Sequence, residues 1–217
     1  MPRRVSVVRI AQGTNSPSPA PGSRVIVCGT ISSAQFATGD RLVIGRWPES
    51  PIGPMFDVMW ASPDDARTLL APNQATADFI TAIYDFDDVR ILPFEVTGDD
   101  RHTVVSGEHI DIEMSGGRRW PIPFRRPLWM TRWIERPIAK ALMGVNTHGV
   151  SPTGAVEWYQ ASGCRWLTTA SAGIDGRDLG ELRRITRPVG VGFSEPPPRP
   201  SLVSVRVTID LPPATRS

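Results

Sequence analysis

His109, Asp111 and Glu113 occupy alternate positions, so on a strand they would share one face. An imidazole with two carboxylates is a donor set that suits zinc or iron. No second histidine stands at a matching spacing, and the wet face of an antiparallel sheet carries polar residues anyway. The sheet-face reading is preferred, and neither a metal nor another cofactor is expected. Asp85, Asp87 and Asp88 begin like a calcium loop, but the glycine and the distant glutamate of that loop are missing. Turn chemistry at the end of a helix accounts for them. His148 lies in Thr147-His148-Gly149, a glycine-bounded loop of the kind that edges active sites and also of the kind where histidines are merely exposed. No GxSxG, GxGxxG or Walker pattern occurs. Cys28 and Cys164 show neither CxxC nor metal spacing and read as buried thiols.

The segment 118–143 departs most from average composition. It carries Arg118, Arg119, Arg125, Arg126, Arg132, Arg136 and Lys140 against Glu135 alone, a net +6 in a chain whose total is +2. Trp120, Phe124, Trp129 and Trp133 are interleaved with these cations. Basic and aromatic residues together suit an anionic lipid surface or a nucleic acid. Pro137 would kink a helix there. The plainer reading is a connector whose aromatics dock on the core while its arginines stay in water.

These residues have to be positioned by a fold, and composition bounds it. The chain has 217 residues, is 40% hydrophobic and 21% charged, and holds 22 prolines and 19 glycines, which excludes general disorder and a histone-like basic shell. No apolar run approaches the ~20 residues of a membrane helix, and the start is too interrupted for a signal-peptide core; a cytoplasmic location is expected. Residues 1–23 read as a flexible arm with one candidate strand at Val5 to Ile10, and 24–217 as a single β-rich domain. Strands are expected at Arg24 to Cys28, Arg41 to Ile44, Met55 to Ala61, Arg67 to Leu70, Val89 to Val96, Thr103 to Ser106 and His109 to Met114. Trp47 to Pro54 reads as irregular, since its prolines remove ladder donors, and Ser62 to Asp65 as a turn. Apolar spacing predicts one clear helix over Gln74 to Tyr84, capped by Asn73. Further on, Val156 to Gln160 and Arg165 to Ser171 read as a hairpin, Asp178 to Arg184 as a helical turn and Pro196 to Pro200 as a rigid spacer. The last strand alternates cleanly, with Val203, Val205, Val207 and Ile209 on one face. No βαβ rhythm emerges. The fold class is α+β, mainly antiparallel, with a cone-like or barrel-like sheet and one or two packed helices.

Glu49-Ser50-Pro51-Ile52-Gly53-Pro54-Met55-Phe56-Asp57 resembles the acidic-Ser-Pro-x-Gly-Pro-Tyr-x-Glu turn and strand of the acetoacetate decarboxylase-like superfamily. The order of strand, helix and meander after it is similar too, over roughly residues 40 to 115. In that family an aromatic-Gly-Phe-Pro-Lys-Lys element carries a Schiff-base lysine. Here the corresponding stretch is Tyr84-Asp85-Phe86-Asp87-Asp88, and the single lysine of the chain, Lys140, stands some fifty residues later. An imine needs an activated amine, so the resemblance implies the fold without the decarboxylase. Asp57 keeps a carboxylate at the family's glutamate position. The C-terminal half is also similar to an uncharacterised actinobacterial protein family around Gly144 to Thr147 and Glu157-Trp158-Tyr159.

The leading expectation is therefore a small-molecule-binding domain with an apolar cavity inside its barrel, Glu49, Asp57, Trp60 and Tyr84 standing near it, and no Schiff-base catalysis. Its ligand would be a small apolar or carboxylate compound. The alternative is a peripheral module that binds anionic lipid or nucleic acid through 118–143, with nucleic acid the less expected of the two. A homo-oligomer would be marked by Trp129 and Trp133 buried between chains.

Overall fold

The computed structural model describes residues 19–121 and 148–213. The expected strand at Val5 to Ile10, Lys140 and most of the basic aromatic segment lie outside the described residues. Gly22 and Ser23, read as part of a flexible arm, are instead tied to the other end of the chain: the Gly22 N–H donates to the Pro212 carbonyl and the Leu211 N–H to that of Ser23.

One sheet dominates. Its strands are β1 (Arg24–Phe36), β2 (Arg41–Glu49), β3 (Met55–Ala61), β4 (Arg67–Ala71), β5 (Asp88–Ile91), β6 (Phe94–Gly98), β7 (His102–Gly107), β8 (Ile110–Pro121), β9 (His148–Val150), β10 (Val156–Ile174), β11 (Arg177–Asp178), β12 (Leu182–Arg183) and β13 (Ser201–Asp210). The path runs β5-β4-β3-β2-β1-β13-β10-β8-β7-β6, with β9 and β11 beside β10 and β12 beside β1. Every pairing is antiparallel except β4 with β5, which is parallel. That pair is bridged by α1 (Gln74–Thr81), a single βαβ crossover where none was expected. The two ends of the path are joined by only Leu92 and Pro93, three Cα steps that span about 11 Å at most. So short a link between opposite edges requires the sheet to curl strongly, and it forms a barrel-like half-cylinder.

Strand alternation then separates two cores. In β3, Phe56 and Val58 face one cluster with Trp60 packed against it, and Met55, Met59 and Ala61 face the other. The first cluster gathers side chains from every strand of the path except β5, which places it inside the curl. It is filled by Phe36, Leu42, Ile112, Met114 and their neighbours, all fully buried. The second cluster covers the opposite face of β1 to β4, β10 and β13, where α1, Val189 and Val191 close over it.

Several local features differ from the sequence expectation for identifiable reasons. The expected single strand over Val89 to Val96 is cut at Pro93, which sends β5 and β6 to opposite ends of the path. Strand β2 continues through Trp47 and Pro48, which is tolerated because the β1–β2 register shifts between Cys28 and Thr30, opposite that stretch. The expected hairpin in 156–171 is one 19-residue strand, bulged between Ala161 and Gly163 rather than turned. Asp178 to Arg184 forms β11 and β12 edge pairings, not a helical turn. The Asn73 cap is present, its side chain accepting from the Thr76 N–H at 2.9 Å. Among the described residues no helix is long and apolar enough to cross a membrane.

Candidate functional site

The barrel interior, where a cavity was expected, is lined by the buried cluster around Phe36, Leu42, Ile112 and Met114. Among the described residues an apolar cavity lies on the other face of the sheet. It measures about 160 Å³, is almost wholly apolar, and is walled by β1, β2, β3, β10 and β13 beneath Tyr84 and the segment 189–197.

Asp57 enters its wall from the middle of β3. Its cross-strand partner in β2 is Gly45, and the missing side chain there leaves room for the Trp47 indole to fold back over the pair. A Cβ at position 45 would overlap both Trp47 Nε1 and Asp57 Oδ1. Trp47 Nε1 donates to Asp57 Oδ1 at 2.9 Å. Asp57 Oδ2 has no hydrogen-bond partner among the described residues, although Asp57 is only 1% exposed. Burial pushes this carboxyl up to about 6, and the indole bond pulls the other way without cancelling it.

A second polar group stands on the β10 side. Alternation puts Glu157 and Tyr159 on the same face of that strand, and Tyr84, just past the end of α1, reaches them across the core. Tyr84 is fixed from both sides: the Thr153 hydroxyl donates to the Ala82 and Ile83 carbonyls, and Gly192 lies flat against the ring, where a Cβ would come within 2.9 Å of it. The Tyr84 hydroxyl donates to Glu157 Oε2 at 2.6 Å, the Tyr159 hydroxyl approaches the same oxygen at 3.0 Å, and the two hydroxyls lie 2.5 Å apart. These are three oxygen–oxygen contacts with only two phenolic protons to fill them, so the ring closes fully when Glu157 carries the third. The energetics agree. Glu157 is fully buried, Oε1 has no partner among the described residues, and burial lifts the carboxyl to about 7 against the opposing pull of the two tyrosines. Burial and the Glu157 charge hold both phenols well above their ordinary range, and the Asp57 charge also reaches Tyr159.

The strap over the cavity is held by Glu195, whose carboxylate accepts the Val189 and Gly190 N–H groups at 2.7 and 2.9 Å. Pro196 and Pro197 form part of the lining, so the expected rigid spacer is a wall of the site. Cys164 lines it too; both cysteines are free, and burial raises the Cys164 thiol to about 11. Among the described residues, no lysine, arginine or histidine lines the cavity.

Of the residues singled out in the sequence, Asp57 and Tyr84 come together at this cavity, and Glu49 and Trp60 do not. Glu49 is exposed at the end of β2 beside a shallow groove containing Cys28 and Arg206. Trp60 has the opposite parity from Asp57, and its indole donates to Asp40 Oδ1 at 2.7 Å, where Arg177 also binds. Trp47, Glu157 and Tyr159 were not assigned to the site from sequence. Asp111 and Glu113 lie exposed on β8, and among the described residues no group of His, Cys, Asp and Glu is arranged to hold a metal. Asp87 and Asp85 pair with Arg67 at 2.7 and 3.4 Å on the outside of the fold. His148 stacks on Trp158, with ring centres 4.8 Å apart, and its Nδ1 meets the Glu157 carbonyl oxygen. Arg118 and Arg119 sit at the end of β8, with Arg118 over the exposed Trp120 ring; Arg125, Arg126, Arg132 and Arg136 lie outside the described residues. No family model, curated protein or solved structure matches this chain.

Proposed function

We propose that this protein binds a small, largely apolar molecule in the cavity between the sheet and the 189–197 strap, on an acetoacetate decarboxylase-like plan without Schiff-base chemistry. The observation that carries the reading is Asp57. A buried carboxylate with an unpartnered oxygen destabilises a fold and is uncommon outside functional sites, and this one stands in the wall of an apolar cavity enclosed by a fixed strap. The volume is close to the ~150 Å³ known to hold benzene in an engineered protein cavity, which suits a ligand of about six to eight heavy atoms. Among the described residues the lining offers no amine, and the resemblance would place the lysine pair at Asp87 and Asp88, of which Asp87 pairs with Arg67 on the outside of the fold.

A thermal-shift screen of small apolar compounds at low and high salt tests the reading. Binding to the folded state raises the melting temperature, and an apolar pocket gives a shift that salt barely changes. Shifts confined to polyanions at low salt would refute the proposal and favour the basic segment 118–143 instead.

A further inference from the structure

The cavity's polar groups also say which ligands it prefers. Three carboxyl groups stand in or directly behind its wall: Asp57, Glu195 and Glu157. Among the described residues no cationic side chain lines the cavity. The donors nearest these acids are already engaged: the Trp47 N–H on Asp57, the two phenolic protons in the ring with Glu157, and the Val189 and Gly190 N–H groups on Glu195. The tyrosine oxygens keep a free lone pair each, and Asp57 Oδ2 keeps its own. The polar end of the cavity therefore offers acceptors and negative charge. A carboxylate placed there would meet like charge in a low-dielectric space, and a carbonyl beside Asp57 would find the Trp47 N–H and the two phenolic protons already engaged.

Resting on the binding reading above, we infer that the cavity takes small apolar amines, with the ammonium head beside Asp57 and the Tyr84–Tyr159 pair and the hydrocarbon body among Val43, Met59, Val191 and Val205. The usual objection to a buried ion pair is the desolvation of both partners. Here Asp57 has lost its water on folding, so only the amine is desolvated on binding, and the bare carboxylate gains the partner it lacks.

The test uses four compounds of one body and nearly one size: benzylamine, benzyl alcohol, ethylbenzene and benzoate. Isothermal titration of the full chain at about pH 7.5 should give benzylamine the lowest Kd, at least tenfold below ethylbenzene, with benzyl alcohol between them and benzoate the weakest. Benzylamine stays charged throughout, while at pH 5 Asp57, titrating at about 6, is nine-tenths protonated; the benzylamine affinity should fall roughly tenfold there, with ethylbenzene unchanged. Glu157 and Tyr159 on β10, Tyr84 after α1 and Glu195 on the strap also face this carboxyl region, and Glu157 gains its proton over the same interval, which acts in the same direction. Asp57→Asn should bring benzylamine to the level of ethylbenzene; the pH series on unaltered protein gives the answer even where that variant fails to fold. Ethylbenzene or benzoate binding as tightly as benzylamine would overturn the amine assignment and leave the cavity reading standing. So would benzylamine affinity indifferent to pH. Failure of all four to bind would overturn both.

Discussion

Asp57→Asn isolates the cost of keeping an acid under the strap. In the folded protein burial lifts the Asp57 carboxyl to about 6, against 3.8 for the free side chain. The folded state thus holds this proton more tightly than the unfolded chain does. Protonated Asp57 costs nothing extra at low pH; as pH rises from about 4 to about 6 the unfolded chain has released its proton and the folded one has not, so stability falls. Once the folded carboxyl ionises, the full difference of about 3 kcal/mol is in force. Asparagine keeps the shape and can accept from Trp47 Nε1 through its carbonyl, but does not titrate. Its amide N–H groups would be buried where Oδ2 has no partner among the described residues, a fixed loss of about 1–2 kcal/mol at every pH. The variant should therefore be the less stable protein near pH 4 and the more stable one near pH 8, the difference moving by about 2–3 kcal/mol between them. Urea unfolding of both proteins across that range measures it, and every other titrating group cancels to first order in the comparison. A difference that stays constant to within about 0.5 kcal/mol would show that Asp57 is solvated or paired, and the reasoning about the site would fail with it.

Gly45→Ala should destabilise by about 1–3 kcal/mol, since its Cβ overlaps the Trp47–Asp57 pair, and should red-shift tryptophan emission as the indole is displaced. Tyr84→Phe opens the oxygen ring and leaves Glu157 Oε2 with one donor; an apparent Glu157 titration above its present value of about 7, read by carboxyl infrared bands, is the expected result, and an unchanged band would contradict the ring. Asn73→Ala removes the α1 cap and should cost about 1 kcal/mol in urea unfolding, with ligand affinity unaltered, because the cap lies at the far end of the helix from Tyr84.

The part of the site legible in the sequence was the part written in local pattern. Met55 to Ala61 is bounded by a proline turn and by Ser62-Pro63-Asp64-Asp65, so its extent is plain, and alternation fixes Asp57 on the face opposite Phe56 and Val58. By the same rule Trp60 belongs to the other face, which sequence resemblance alone does not reveal. Glu157 and Tyr159 were harder to read as site residues, because an acid in an apolar strand looks like a solvent position until the strand opposite is known. Their burial depends on Tyr84 from some seventy residues earlier. The choice between turn and bulge at Ser162-Gly163-Cys164 was equally non-local: small residues permit either, and the ten-pair register of β10 on β13 decides for the bulge. Which face of the sheet holds a cavity follows from curvature, and curvature follows from a two-residue link between opposite edges, a fact of topology that no single segment carries.

The seam at the middle of the sheet has a kinetic consequence. β13 fills the gap between β1 and β10, with Arg24 opposite Asp210 along one side and Val156 opposite Asp210 along the other. During synthesis β1 can pair with β2 at once, but its other edge waits for β13, which follows much later in the chain. Until then β1 and β10 each present an edge that β13 will cover, and unpaired strand edges are where chains pair wrongly. Closing so large a loop late also favours slow, concerted folding over stepwise accretion. The cavity, whose wall includes Val203 and Val205, is therefore completed only once β13 has joined the sheet.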